Sequence, residues 1–326
     1  MRIVFMGTPQ FAVPTLGRLL QTQLQVVAVY TQPDRPAGRG RELSPSPIKR
    51  VALQHGLTVV QPTRLRRPEA IAELASFSPD VIVVCAFGQI LSQAVLDIPP
   101  HGSLNVHPSL LPKHRGASPI AGAILAGEEE TGVTIMLMDV GMDTGPILTQ
   151  VRVPIDPEDT TGTLSERLAA ISADLLVSSL EDWLEGRLTP TPQDNSRATY
   201  TKPIEKEQGE LDWRLSAMQL WRVVRAFNPW PGSYTHWRGP TLKVLQAKPL
   251  AGAPGGELGE VLALAPRPES REKDPSHPVV GVQTAEGVLG LVRVQLEGKK
   301  PMMASEFVRG HRDFIGFVLP SPSGAG

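Results

Sequence analysis

The chain holds one cysteine in 326 residues. A lone thiol excludes an internal disulfide and any zinc site built on several thiolates. That residue, Cys85, lies inside the apolar run DVIVVCAF and reads as a small buried hydrophobe. An excess of one charge is missing too: 32 basic residues face 33 acidic ones, for a formal net charge of -1. This balance excludes a protein coated all over with nucleic acid, yet it leaves room for a local basic face. Long hydrophobic runs are lacking; the opening MRIVFMGTPQ is too briefly apolar for a signal peptide, and nothing reaches membrane-spanning length. A cytoplasmic location is the expectation. No internal repeat or heptad stands out. A nicotinamide dehydrogenase needs three glycines in its first turn, and VFMGTPQFAVP offers one, with no acid in the expected place after the second strand. A zinc hydrolase fails as well, because His101, His107 and His114 lack the usual ligand spacing.

What the sequence does have is length and alternation. A chain this long exceeds one ordinary core, so two domains are expected. Up to about Tyr200, short apolar runs such as RIVFMG, VVAVYTQ, DVIVVCAF and SLNVHP alternate with helical segments. Continuous apolar strands separated by helices predict a Rossmann-like, mostly parallel α/β sheet with helices on both faces. In TTGTLSERLAAISADLLVSSLEDWLEG, Leu164, Leu168, Ile171 and Leu175 recur at helical spacing, with Gly186 as the stop. The stretch RLTPTPQDNSRATYTKPIEKEQGE is polar and without periodicity, and reads as a surface linker. After one short helix, SAMQLWRVVRAF, close-spaced β runs with glycine turns predict a small β-barrel of the oligonucleotide-binding (OB-like) class. The expected division is a catalytic domain over 1–188, a linker over 189–209, an OB-like domain over 210–318 and an unstructured tail over 319–326. The excursion PRPESREKDPSH reads as an exposed loop. Trp213, Trp221, Trp230 and Trp237 are assigned to core packing rather than base stacking.

The chemistry concentrates in LNVHPSLLPKHRG. Strand period puts Asn105 and His107 on one face, and Pro108 ends the strand. Ligands of open α/β sheets bind beyond the carboxyl ends of strands, where an amide and an imidazole would meet a substrate. A second segment, MDVGMDTGPIL, carries Asp139 and Asp143 in a turn where Gly141 and Gly145 permit close backbone approach or positive φ. A carboxylate from this turn would orient His107 and raise its basicity.

NVHPSLLPKHRGASPI followed by ETGVTIMLMDVGMDTGPIL resembles the folate-dependent formyltransferases. TQPDRPAGRG, LSPSPIK and RAFNPWPGSY resemble, within them, the branch acting on methionyl-tRNA. The resemblance covers nearly the whole chain. It implies that Asn105, His107 and Asp143 are catalytic, that Ser109, Leu110, Leu111 and Pro112 line a folate pocket, and that no metal takes part. His114, in the variable part of the motif, reads as a surface group. The implied reaction moves the formyl group of 10-formyltetrahydrofolate to the α-amine of initiator methionyl-tRNA, without a covalent enzyme nucleophile. Such a site must stabilise an oxyanion, the task of Asn105 and His107, and give the amine proton a route, the task of Asp143 with His107.

QPDRPAGRGRELSPSPIKR is locally basic and too rich in Pro, Gly and Ser for a regular element. The resemblance implies that it inserts against a tRNA acceptor stem, which suits the bidentate contacts of Arg35, Arg39 and Arg41. Lys202 and Lys206 would extend a basic track toward the second domain, with affinity falling steeply as salt is added. A monomer is expected. Two alternatives stay open: a formyltransferase acting on a sugar amine or glycinamide, and an RNA-binding protein that keeps the fold without catalysis.

Overall fold

The computed structural model describes residues 1–37, 42–251, 255–264 and 277–322. Arg39 and Arg41 lie outside them, as does the loop expected around 266–276. The chain runs β1 (Arg2–Gly7), α1 (Val13–Leu19), β2 (Gln25–Tyr30), the antiparallel pair β3 (Arg35–Ala37) and β4 (Glu42–Ser44), then α2 (Pro47–Gln54). It continues with β5 (Val59–Val60), α3 (Pro68–Ser76), β6 (Val81–Cys85), α4 (Gln93–Leu96) and β7 (Ser103–His107). Next come β8 (Arg115–Gly116), α5 (Pro119–Ala126), β9 (Glu130–Leu137), β10 (Ile147–Pro154), α6 (Thr161–Leu184) and β11 (Tyr200–Thr201). Some of the chain's 32 prolines start helices: α1, α2 and α3 each carry one in the first turn, where a missing N–H costs nothing. Ser46 caps α2 by accepting from the Lys49 amide at 3.0 Å.

Seven strands form one sheet in the order β10-β9-β7-β6-β1-β2-β5. The pairs β2–β5, β1–β2, β1–β6 and β6–β7 are parallel, while β9 runs antiparallel to both β7 and β10. β6 and β7 are buried along their whole length, as strands covered on both faces must be. Cys85 is fully buried, and desolvation pushes its thiol up to about 12, so it is an inert core group. α6 buries one face, but its stripe runs Leu164, Leu168, Ser172, Leu176 and Leu180. Ile171 and Leu175 flank that stripe half-buried. The contact is a broad stripe, widened by Ala169, Ala173 and Val177, and a serine sits in its middle. Gly186, with φ of 71°, ends the helix as expected.

The chain divides into two compact units, with the main boundary between Lys202 and Pro203, inside the segment read as a linker. Residues 124–128 and 156–162 group with the second unit, while the first comprises residues 1–123, 129–155 and 163–202. There, Thr191 exchanges backbone hydrogen bonds with Ile147, and β11 pairs parallel with β8. The second unit contains α7 (Ala217–Ala226), β12 (Ser233–His236), β13 (Thr241–Leu250), β14 (Val261–Ala263), β15 (Val280–Gln283), β16 (Val288–Leu296), β17 (Met302–Met303) and α8 (Ala304–Gly310). Its sheet, β12-β13-β16-β15-β14 with β17 beside β16, is antiparallel throughout and curls into a half-barrel. Register shifts between Val244 and Ala247 increase that curl. Trp213 and Trp237 are core residues, whereas Trp221 is half-buried beneath the Arg225 guanidinium and Trp230 is 58% exposed. The tail is held further than expected: Leu319 is buried in this core, and Ser321 Oγ accepts from the Trp213 amide at 3.1 Å. Residues 323–326 lie outside the described set.

Candidate active site

β7 lies between parallel β6 and antiparallel β9; Asn105 is paired on both sides, and His107, past the end of the β6 ladder, with β9 alone. Their rigidity comes from this pairing. Both side chains are buried, at 9% and 4% exposure. The loop after β9 starts at the other end of β7, where Leu137 stands opposite Leu104. It folds back far enough for Asp143 to reach both residues. Asn105 Nδ2 donates to Asp143 Oδ1 at 3.3 Å, and His107 Nδ1 lies 3.7 Å from Asp143 Oδ2. The latter distance suits an ion pair with a protonated ring but is too long for a direct hydrogen bond. The Gly116 amide donates to the same Oδ2 at 2.8 Å. The predicted trio is therefore brought together.

The opposite ring nitrogen settles the tautomer. His107 Nε2 stands 3.0 Å from the His114 carbonyl, which can only accept, so Nε2 carries the hydrogen. Nδ1 of a neutral ring then holds its lone pair toward Asp143, and that atom alone is open to gain a proton. His114 is thus no surface group. It is buried at 7% exposure, adopts φ of 58°, and orients the imidazole through its backbone oxygen. Neighbouring Lys113 and Arg115 make the position look polar in sequence, but the working atom belongs to the main chain.

Asp139 does not join the trio. Its Oδ1 accepts from the Gly141 amide at 3.0 Å and the Thr144 hydroxyl at 2.7 Å, closing its own turn. Close approach, not positive φ, is what Gly145 supplies: a Cβ there would sit 1.9 Å from the Leu137 carbonyl oxygen. The left-handed residue is Asp143 itself, with φ of 54°. Aspartate is among the few side chains that tolerate this region, still at some cost.

The SLLP turn is pinned from the sheet. Thr134 Oγ1 donates to the Ser109 carbonyl at 2.6 Å and accepts from the Leu111 amide and Gln150 Nε2. Gln150 Nε2 also donates to the Leu111 carbonyl at 2.9 Å. The Ser109 hydroxyl is committed to the Lys113 carbonyl at 2.7 Å. Ser109 and Leu111 are buried, and Leu110 and Pro112 half-buried. Arg35, Lys202 and Lys206 are exposed. Lys49, from the same basic loop, is tied to Asp34 at 2.6 Å instead. Sequence reasoning missed His114, Gly116, Thr134, Gln150, Gln193 and Arg115, because each acts through the backbone or across a large sequence separation. The pairing of Thr134 with Gln150 on adjacent strands was the one signal available.

A formyl transferase family model matches residues 1–180, and a formyl transferase C-terminal domain model matches residues 203–312. A methionyl-tRNA formyltransferase from Dehalococcoides mccartyi is 48% identical over 319 residues, spanning 98% of this chain and 98% of its own. Another, from Chloroflexus aurantiacus, is 48% identical over 317 residues, spanning 97% of this chain and 99% of its own. The sugar 3N-formyl transferase WlaRD, solved in the presence of dTDP and 5-N-formyl-THF, superposes with a TM-score of 0.63 at 18% identity, covering 92% of this chain and 99% of that one. This likeness speaks for the fold alone. Two matched domains and near-full-length identity together place the chain in the formyl transferase family, among the methionyl-tRNA formyltransferases.

Proposed function

We propose that this chain transfers the formyl group of 10-formyltetrahydrofolate to the α-amine of initiator methionyl-tRNA, with Asn105, His107 and Asp143 around the reacting carbon. The observation that carries the reading is the convergence of an amide, an imidazole and a carboxylate at the end of β7. The α-amine, with a pKa of about 8, keeps a neutral fraction near pH 7 and can attack the formyl carbon directly. The carbonyl oxygen becomes an oxyanion, which the second N–H of Asn105 addresses. As the bond from carbon to N10 breaks, one proton leaves the amine and one must reach N10. His107 Nδ1 carries it, because Nε2 is committed, and Asp143 stabilises the ring while it is charged. Ser109, Leu110, Leu111 and Pro112 border the folate. The co-substrate fits the folate named for the solved relative WlaRD.

The first domain holds this chemistry and the second holds the tRNA, joined through the segment over 189–209. Arg35, Arg39 and Arg41 are assigned to bind the acceptor end. Lys202 and Lys206 are assigned to the tRNA as well, and Lys206 joins Lys243, His236 and Tyr234 in lining a cavity of about 510 Å³ in the second unit. Two cations beside aromatic rings suit phosphate and base contacts. No helix of the described residues is long and apolar enough to cross a membrane; the enzyme is assigned to the cytoplasm as a monomer. The test is formyl transfer from 10-formyltetrahydrofolate to methionyl-tRNA, with free methionine as control. Wild-type protein should formylate only the tRNA, and Asn105→Ala should slow turnover on the order of 100-fold. Equal turnover of free methionine, or an Asn105→Ala enzyme at full speed, would overturn the reading.

A further inference from the structure

Among the described residues, no carboxylate pairs with the buried cation of Arg115. Only 1% of it is exposed, and its guanidinium donates to neutral oxygens. Nε and Nη2 both reach Gln193 Oε1, at 3.1 and 2.7 Å; Nη2 also reaches Asn195 Oδ1 at 2.8 Å, and Nη1 the Tyr200 hydroxyl at 3.3 Å. Burying a charge among neutral acceptors forgoes the attraction an acid would supply. The reason lies on the far side of Gln193. Its Nε2 donates to the carbonyls of Asp143 and Gly145, at 2.8 and 2.7 Å. A glutamine so placed uses all four of its hydrogen-bonding positions. A carboxylate could satisfy the guanidinium but would turn an oxygen toward two carbonyl oxygens. The amide accepts twice on one side and donates twice on the other, which a carboxylate cannot do. The guanidinium also polarises that amide and strengthens its donation.

We propose that Gln193, oriented by Arg115, is a positioning residue that holds Asp143 in its left-handed conformation and so sets the carboxylate against Asn105 and His107. The proposal rests on the assignment of those three residues as the reacting site. Gln193 and Arg115 touch no substrate; they act on the loop's backbone. A shift of about 1 Å at a reacting group costs on the order of 100-fold in rate, so the relay should be visible in turnover.

Gln193→Glu tests it. The new carboxylate still accepts from Arg115, so the fold should hold, while both donations to the loop are lost. The expected result is a Tm close to wild type, KM for both substrates within about two-fold, and kcat lower by roughly 10- to 100-fold. Combined with Asp143→Asn, it should slow the enzyme little beyond Asp143→Asn alone, because the group it positions is already gone. Should Gln193→Glu fold poorly, Arg115→Met with Gln193→Met removes cation and amide together, leaves no unmatched buried charge, and should show the same kcat loss. A full-speed Gln193→Glu enzyme, or losses that multiply with Asp143→Asn, overturns the positioning role. Asp143→Asn at near wild-type rate would instead overturn the underlying site assignment.

Discussion

Asp143 engages three neighbours with two oxygens: the Asn105 amide at one, and the Gly116 amide and the His107 ring at the other. Gly116 is as constrained as the acid it serves. Its φ is 106°, and a Cβ there would lie 2.3 Å from the Thr201 carbonyl oxygen. Gly116→Ala must therefore both strain the backbone and push β8 away from β11. Thermal unfolding should register a loss of roughly 1–3 kcal/mol, and kcat should fall with it as the amide leaves Asp143. An alanine variant with unchanged Tm and unchanged turnover would show that this contact is dispensable. At this scale the juxtaposition of the proposed site was legible in part in sequence, since period two alone aligns Asn105 with His107. The His114 carbonyl and the Gly116 amide were not, because main-chain atoms leave no trace in residue identity.

Among the elements, those built on local periodicity were readable and those built on distant contacts were not. β1, β2, β6, β7, β9 and β10 follow their apolar runs, and α7 follows its apolar face behind the Ser216 and Gln219 capping box. The segment 191–201 gave no such signal. It has no period, and apart from short turns at Asp194 and Asn195 its hydrogen bonds go to residues 44 to 87 positions away in sequence, so it read as a linker while it straps the Asp143 loop. The second unit's core was readable in kind but not in detail. Trp237, Phe307 and Phe314 meet edge-to-face at centroid distances of 5.2 to 5.6 Å, two of them contributed by the last stretch of chain. Phe307 is 2% exposed. Phe307→Ala should lower the stability of this unit by about 3–5 kcal/mol, measured by denaturant unfolding. A loss below about 1 kcal/mol would mean that the cluster collapses around the gap.

For the molecule as a whole, near-zero net charge conceals a division between two units with separate cores. The family matches end and resume at 180 and 203, on either side of the strap that closes the first unit. The proposed account assigns folate and formyl chemistry to that first unit and the cavity beside Lys206 and Lys243 to nucleic acid. Its most direct test is the position of a bound 10-formyltetrahydrofolate in a crystal of this chain. The formyl carbon should lie within about 3.5 Å of Asn105 Nδ2 and His107 Nδ1, with the Asp143 carboxylate on the same side. A folate whose formyl end rests away from all three, with their mutual contacts undisturbed, would contradict the account.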